Sequence, residues 1–102
     1  MARDTWAYRE VAVESVLDPR SGALRIRPMA GQAFAPSLPV QCSRRLCDPA
    51  VYPAGTRFLL SAKLTDRLGG PQFLYAYHGD PVVVLTNAAA KKFLAAFRRG
   101  RI

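Results

Sequence analysis

The chain is poor in the residues from which most enzymes and metal centres are assembled: it has one histidine, two cysteines and seven acidic residues in 102. Two cysteines cannot build the disulfide framework of a small secreted scaffold. No apolar run approaches the roughly 18–20 residues of a membrane span. Met1-Ala2-Arg3-Asp4-Thr5-Trp6 offers no apolar stretch of the kind a signal peptide needs. A cytoplasmic chain without a membrane partner is the expectation. Internal repeats and low-complexity segments are absent from the sequence. So are a Gly-rich phosphate loop, a Ser-centred nucleophile elbow and a pair of catalytic carboxylates, and no enzymatic activity is expected.

The two thiols, Cys42 and Cys47, flank Ser43-Arg44-Arg45-Leu46. A structural zinc wants four ligands. His78 is the only histidine, and Asp48, Asp80 or water would have to complete the set, so neither a metal nor another cofactor is expected. The spacing is not that of a Cys-x-x-Cys redox pair. The sequence predicts two reduced thiols, at least one of them packed in the core, with the adjacent arginines lowering a thiol pKa somewhat. A dyad of Cys42 or Cys47 with His78 is the one catalytic arrangement these residues leave open.

What the chain does have is apolar content, 50% of its residues, and positive charge, fifteen Lys and Arg for a net +8. The apolar half suffices for a single domain spanning residues 1–102, burying about 65% of the extended chain's surface at this size. The charge is uneven. Residues 1–40 are net +1, residues 41–72 net +3 and residues 73–102 net +4, and Lys91, Lys92, Arg98, Arg99 and Arg101 close the chain with no acid among the last twelve residues. Twelve of the fifteen cations are arginine, whose forked guanidinium suits phosphate. An Arg-, Ala- and Pro-rich composition alone also produces such an excess, so it indicates an anionic partner without naming one.

Strand-like patterns dominate. Residues 5–17 are rich in β-branched and aromatic types, with Val11 and Val13 on one parity and Trp6 and Tyr8 on the other. The apolar face therefore switches near Arg9-Glu10, which calls for a bulge or for cover on both faces. A helical spacing of Ala7, Val11 and Glu14 is the competing pattern. Asp18-Pro19-Arg20-Ser21-Gly22 is a turn, and 23–28 alternates Leu24 and Ile26 against Arg25 and Arg27, completing a hairpin. The proline-broken stretch 29–56 holds a short strand at 38–42. Residues 57–65 set Phe58, Leu60, Ala62 and Leu64 against Arg57, Leu59, Ser61, Lys63 and Thr65. A loop at 66–71 leads to a return strand at 72–78, and Val82–Leu85 follows as a short buried strand. Thr86 or Asn87 caps a helix over 87–99, with Ala90, Phe93, Leu94 and Phe97 on one face and Gly100 as its stop.

This pattern predicts a mainly β fold: a small antiparallel SH3-like barrel, or less well an OB-like one, of five to six short strands, its C-terminal helix plugging a mouth or covering the open sheet. If strands 23–28 and 57–65 are neighbours, Arg25, Arg27, Arg57 and Lys63 share one solvent face. Arg44, Arg45 and Arg67 flank it from loops, and Lys91, Arg98 and Arg99 add a basic helix end. The expected function is nucleic-acid binding, to DNA or RNA, through the phosphate backbone with little base specificity. Tyr75 and Tyr77 are candidate stacking rings, although the Phe73-Tyr75-Tyr77 face reads first as core. A solvated strand exterior and compensation of the helix dipole explain the same cations without a partner. The alternative function is a small interaction module, a regulator or inhibitor that meets an acidic protein surface through 29–56, with Phe34, Leu38, Leu46 and Tyr52 as anchors. A monomer or weak homodimer suits either function.

Overall fold

The Asp18–Gly22 turn is built as its residues require. Asp18 Oδ1 accepts from the Arg20 amide at 3.0 Å, the Gly22 amide donates to the Asp18 carbonyl at 2.8 Å, and Gly22 takes φ 72°, open to glycine at no steric cost. The structure, a computed structural model, describes residues 8–66, 68–77 and 79–100, with side chains up to residue 96. The chain runs β1 (Arg9–Leu17), β2 (Leu24–Pro28), β3 (Val40–Gln41), a one-turn 3-10 helix (Arg44–Cys47), β4 (Arg57–Thr65), β5 (Phe73–Tyr75), β6 (Val83–Leu85) and α1 (Asn87–Gly100). The fold is mainly β, a six-stranded mixed sheet with one C-terminal helix.

The strands lie in the order β2-β1-β4-β5-β3, with β6 also on β4. β1 pairs antiparallel with β2 (Val13 opposite Pro28, Leu17 opposite Leu24) and with β4 (Arg9 opposite Ala62, Glu14 opposite Arg57). β5 and β6 are two pieces of one return strand. Lys63 faces Tyr75 and Leu59 faces Val83, so four steps along β4 match eight along the return. The excess of four residues loops out around Gly79-Asp80-Pro81 and cuts the predicted strand 72–78 short at Tyr75. Residues 5–7 of the predicted first strand lie outside the described residues. β1 has no bulge, since its register with β4 runs unbroken. It is covered on both faces instead, with Val11, Ala12 and Val13 all fully buried.

The expected barrel does not close. β3 is two residues long rather than 38–42, and it pairs only with β5, in parallel. No ladder joins it to β2; the Arg27 Nη1 hydrogen bond to the Ser37 carbonyl, 3.0 Å, spans that gap instead. Proline is the physical reason on both sides. Pro39 precedes β3 and Pro28 ends β2, and neither has an amide to donate. Beyond Pro28 the edge of β1 is finished by other groups. The Met29 amide donates to the Ala12 carbonyl (2.9 Å), and the Gln32 side chain both accepts from the Ala12 amide (3.1 Å) and donates to its carbonyl (2.6 Å).

The core lies on the inner face, where Val11, Val13, Ile26, Phe58, Leu60, Ala62, Leu74 and Ala76 meet. The segment 29–56 folds over it and contributes its own apolar side chains. Leu46 is buried, Phe34, Leu38, Val40 and Tyr52 pack against the cluster, and Tyr52 meets Phe58 edge-to-face at 5.0 Å. The four predicted docking anchors are therefore core residues. The aromatic strand is turned the other way from the first reading. Leu74 and Ala76 face the core, while Phe73 and Tyr75 are half-buried and Tyr77 is exposed. Both faces of that segment are apolar, so alternation does not choose between them. Val82–Leu85 is not a buried strand: Val82, Val83 and Val84 are exposed at the edge of the sheet, beside β4.

Thr86 caps α1, its Oγ1 accepting from the Ala89 amide at 3.1 Å. The helix covers the sheet rather than plugging a mouth. It packs on β1 and β6, with Ala90 buried and Phe93 facing a cavity shared with Tyr8, Glu10, Gln32 and Phe34. The predicted contribution of Phe97 lies outside the described side chains.

Candidate nucleic-acid interface

Residues opposite one another on antiparallel strands share a face. Across the outer face, Arg27, Glu14, Arg57 and Leu85 thus form one row, and Arg25 and Val16 the next. The four-cation wall expected from Arg25, Arg27, Arg57 and Lys63 is not assembled. β1 stands between β2 and β4 and inserts Glu14 between Arg27 and Arg57. The Arg57 Nε lies 3.6 Å from Glu14 Oε2, too far for a hydrogen bond, and has no hydrogen-bond partner among the described residues. Its Nη1 donates to Asn87 Oδ1 at the start of α1. Arg57 thereby ties three elements together. Lys91 lines the cleft beside it, with Met29, Asn87 and Leu94.

Lys63 stands six residues further along β4, about 20 Å away at strand rise. There it belongs to a different cluster. Its Nζ is 5.7 Å from the centre of the Tyr8 ring, and Tyr75 stands opposite it on β5. The Tyr77 ring closes over Gly79, where an added Cβ would come within 2.6 Å of it. Arg67 and the side chains of Arg98 and Arg99 lie outside the described residues.

What the fold does bring together is two arginine-bearing elements, β2 and the 3-10 helix. Arg25 and Arg27 project from β2, and the 3-10 helix packs beside that strand, with Arg44 and Arg45 both exposed. Ser43 starts this turn by accepting from the Arg45 amide at 3.3 Å, and Leu46 anchors it in the core. A cleft of about 140 Å³ runs between β2 and β3, lined by Leu24, Arg25, Ile26, Arg27, Pro39, Val40 and Cys47. Two acids moderate the flank. Asp18 Oδ2 pairs with Arg25 Nε at 2.8 Å. The hydrogen bond from Arg25, followed by that from the Arg20 amide, holds the Asp18 carboxyl below its usual range. Asp48 follows the 3-10 helix and accepts from the Ala50 amide at 2.9 Å. A larger groove of about 330 Å³, beside Pro39–Gln41 and Gly70–Phe73, carries no charged side chain and offers phosphate nothing.

The thiols are free and half-buried against the core, as expected, but their pKa values shift opposite to the expected lowering. Burial pushes Cys42 up to about 12, with the Cys47 thiol adding to the effect. Burial also raises Cys47, against a smaller lowering by Arg25. Desolvation outweighs the adjacent arginines because Arg44 and Arg45 extend into solvent, where their charge is screened. Among the described residues, no three His, Cys, Asp or Glu side chains come together as a metal site. His78 lies outside them.

Glu14, Asp18 and Tyr8 are the participants that composition and alternation do not single out. A carboxylate acquires its role here only from the arginine opposite it, which requires knowing which strands are neighbours. No helix among the described residues is long and apolar enough to cross a membrane. Set against known protein families, curated proteins and solved structures, the chain matches no family model, no curated protein and no solved structure.

Proposed function

We propose that this chain binds nucleic acid, DNA or RNA, by holding phosphates at the flank of β2 and the 3-10 helix, with little readout of base identity. The observation that carries the reading is the placement of Arg25 and Arg27 on β2 and of Arg44 and Arg45 on the adjoining 3-10 helix, within a chain of net +8. Guanidinium forks match phosphate oxygens two at a time. The pairing of Arg25 with Asp18 orients one fork and leaves Arg27, Arg44 and Arg45 with donors to offer. Arg57 and Lys91 extend the positive surface across the outer face. Tyr75 and Tyr77 serve as stacking surfaces for a base at the far end, next to Lys63.

The test is fluorescence anisotropy with labelled mixed-sequence DNA and RNA oligomers over a salt series. Binding that weakens steeply with salt and differs little among sequences is expected. No binding at about 50 mM salt, or a flat salt dependence, overturns the reading. A second reading, an interaction module for an acidic protein surface, rests on the exposed cations of the 3-10 helix, Arg44 and Arg45. Capture from nuclease-treated lysate separates the two. A partner that survives nuclease and moderate salt supports the module, and loss of every partner supports nucleic acid.

A further inference from the structure

Along an antiparallel strand, the backbone groups of successive residues turn to alternate edges. In β1 the Ser15 amide donates to the Thr56 carbonyl at 2.9 Å, so the odd-numbered residues face β4 and the even-numbered ones face the opposite edge. There β2 takes up Val16 and Glu14, opposite Arg25 and Arg27. Met29 and the Gln32 carboxamide take up Ala12. Glu10 comes next, and among the described residues its N–H and C=O have no hydrogen-bond partner at that edge. Glu10 and Gln32 both line a cavity of about 240 Å³, so the open edge borders it. Three aromatic side chains, Tyr8, Phe34 and Phe93, line the same cavity.

We infer that this cavity holds a single nucleobase, paired through one edge with the Glu10 N–H and C=O and laid against the aromatic rings. The chain already makes such a contact two residues along the same edge. The Gln32 carboxamide, a planar group with a donor and an acceptor side by side, accepts from the Ala12 amide at 3.1 Å and donates to the Ala12 carbonyl at 2.6 Å. Nucleobases carry the same pair of groups on their hydrogen-bonding edges and offer a face to an aromatic ring. An extended peptide fits less well. Gln32 fills the neighbouring rung, so a peptide gains one residue of ladder and has no flat face for the rings. Pockets that enclose a whole drug-sized ligand run to about 300–1,000 Å³. A smaller cavity suits one ring system, with sugar and phosphate outside.

A backbone donor and acceptor serve every base alike, which agrees with phosphate binding that reads little sequence. The base comes from a free nucleoside or from an unpaired nucleotide of a bound strand. The second source rests on the nucleic-acid reading and selects single strands over duplex, in which the pairing edge is already used.

Amide resonances of the isotope-labelled chain test the assignment. Adenosine or uridine should move the Glu10 amide, and so should a mixed-sequence single strand of about twelve nucleotides. An abasic strand of equal length keeps the phosphates alone. It should move the resonances of β2 and the 3-10 helix and leave Glu10 in place. By anisotropy the base-bearing strand should bind about 5- to 150-fold tighter than the abasic one, the range for one stacked base. Ala33→Trp, at an exposed position lining the cavity, should fill it, abolish the nucleoside shift and bring the base-bearing strand down to abasic affinity. Phe93→Leu keeps an apolar side chain on the sheet and removes one ring. It should weaken the base-bearing strand alone, and it serves if Ala33→Trp misfolds. A Glu10 amide indifferent to nucleosides and to the base-bearing strand, or equal affinity for the two strands, would overturn the inference while abasic binding still upholds the phosphate reading. A Glu10 shift with nucleosides while neither strand binds would uphold the cavity with a free nucleoside and overturn the phosphate reading alone.

Discussion

Replacing Arg44 and Arg45 together with alanine removes two guanidinium groups from the seam while leaving Leu46, the buried residue of that turn, in place. Both arginines are exposed, so the cost to folding stays within about 0.5 kcal/mol. The effect on binding is much larger. If Arg25, Arg27, Arg44 and Arg45 each neutralise one phosphate, the logarithm of affinity falls with the logarithm of salt at a slope of about −3.6 on a duplex or about −2.8 on a single strand. Affinity then drops about 150-fold on a duplex between about 50 and 200 mM salt. The double variant halves the number of phosphates neutralised. Its slope becomes about −1.8, and the same salt step costs only about 12-fold. Glu14→Gln works in the opposite direction, because it removes the carboxylate between Arg27 and Arg57 and should tighten binding at low salt. Anisotropy titrations at four or five salt concentrations measure all three slopes. An Arg44→Ala/Arg45→Ala slope equal to that of the parent chain would refute the reasoning, since the phosphates would then be held elsewhere.

Other parts of the structure carry equally definite expectations. Phe58, fully buried and stacked edge-to-face on Tyr52, should cost about 3–5 kcal/mol when replaced by alanine, read from urea unfolding by circular dichroism. Thr86→Ala removes the acceptor for the Ala89 amide and should cost about 1 kcal/mol, with the loss in the helical signal. Cys42 titrates at about 12 in the folded chain against an ordinary 9.0. Between those values the unfolded chain has released a proton that the folded chain keeps, so stability falls as pH rises through that window. Cys42→Ala should flatten this alkaline limb in melts taken from pH 8 upward. An unchanged limb would show that the thiol is not the titrating group.

Several features were readable from residue order because they are local. The Asp18–Gly22 turn and the Thr86-capped helix follow from contacts within a few residues, and β4 at Arg57–Thr65 shows in the alternation of its own residues. Pro28 and Pro39 announced interruptions, although their joint consequence, an open seam instead of a closed barrel, depends on the two strands meeting in space. The Phe73–Tyr77 segment shows where alternation runs out. Apolar side chains line both of its faces, and Leu74 points inward only because β4 presents its inner face at that register. Val82–Val84 misleads for a related reason. Hydrophobicity says that a strand is able to be buried, whereas burial requires other elements to cover its face, as they do for Leu24 and Ile26 of the edge strand β2.

The candidate site divides along the same line. Arginine abundance, the sign of the charge and the outward parity of Arg25, Arg27 and Arg57 are properties of residue order, and the fold preserves them. Which cations stand together is a property of strand neighbours. Placing β1 between β2 and β4 set Glu14 among the arginines, and pairing β4 with β5 set Lys63 opposite Tyr75 in an aromatic cluster. Period-two alternation assigns a side chain to one face of a strand. It carries no information about which strand lies alongside, because that choice is made by long-range packing of the core.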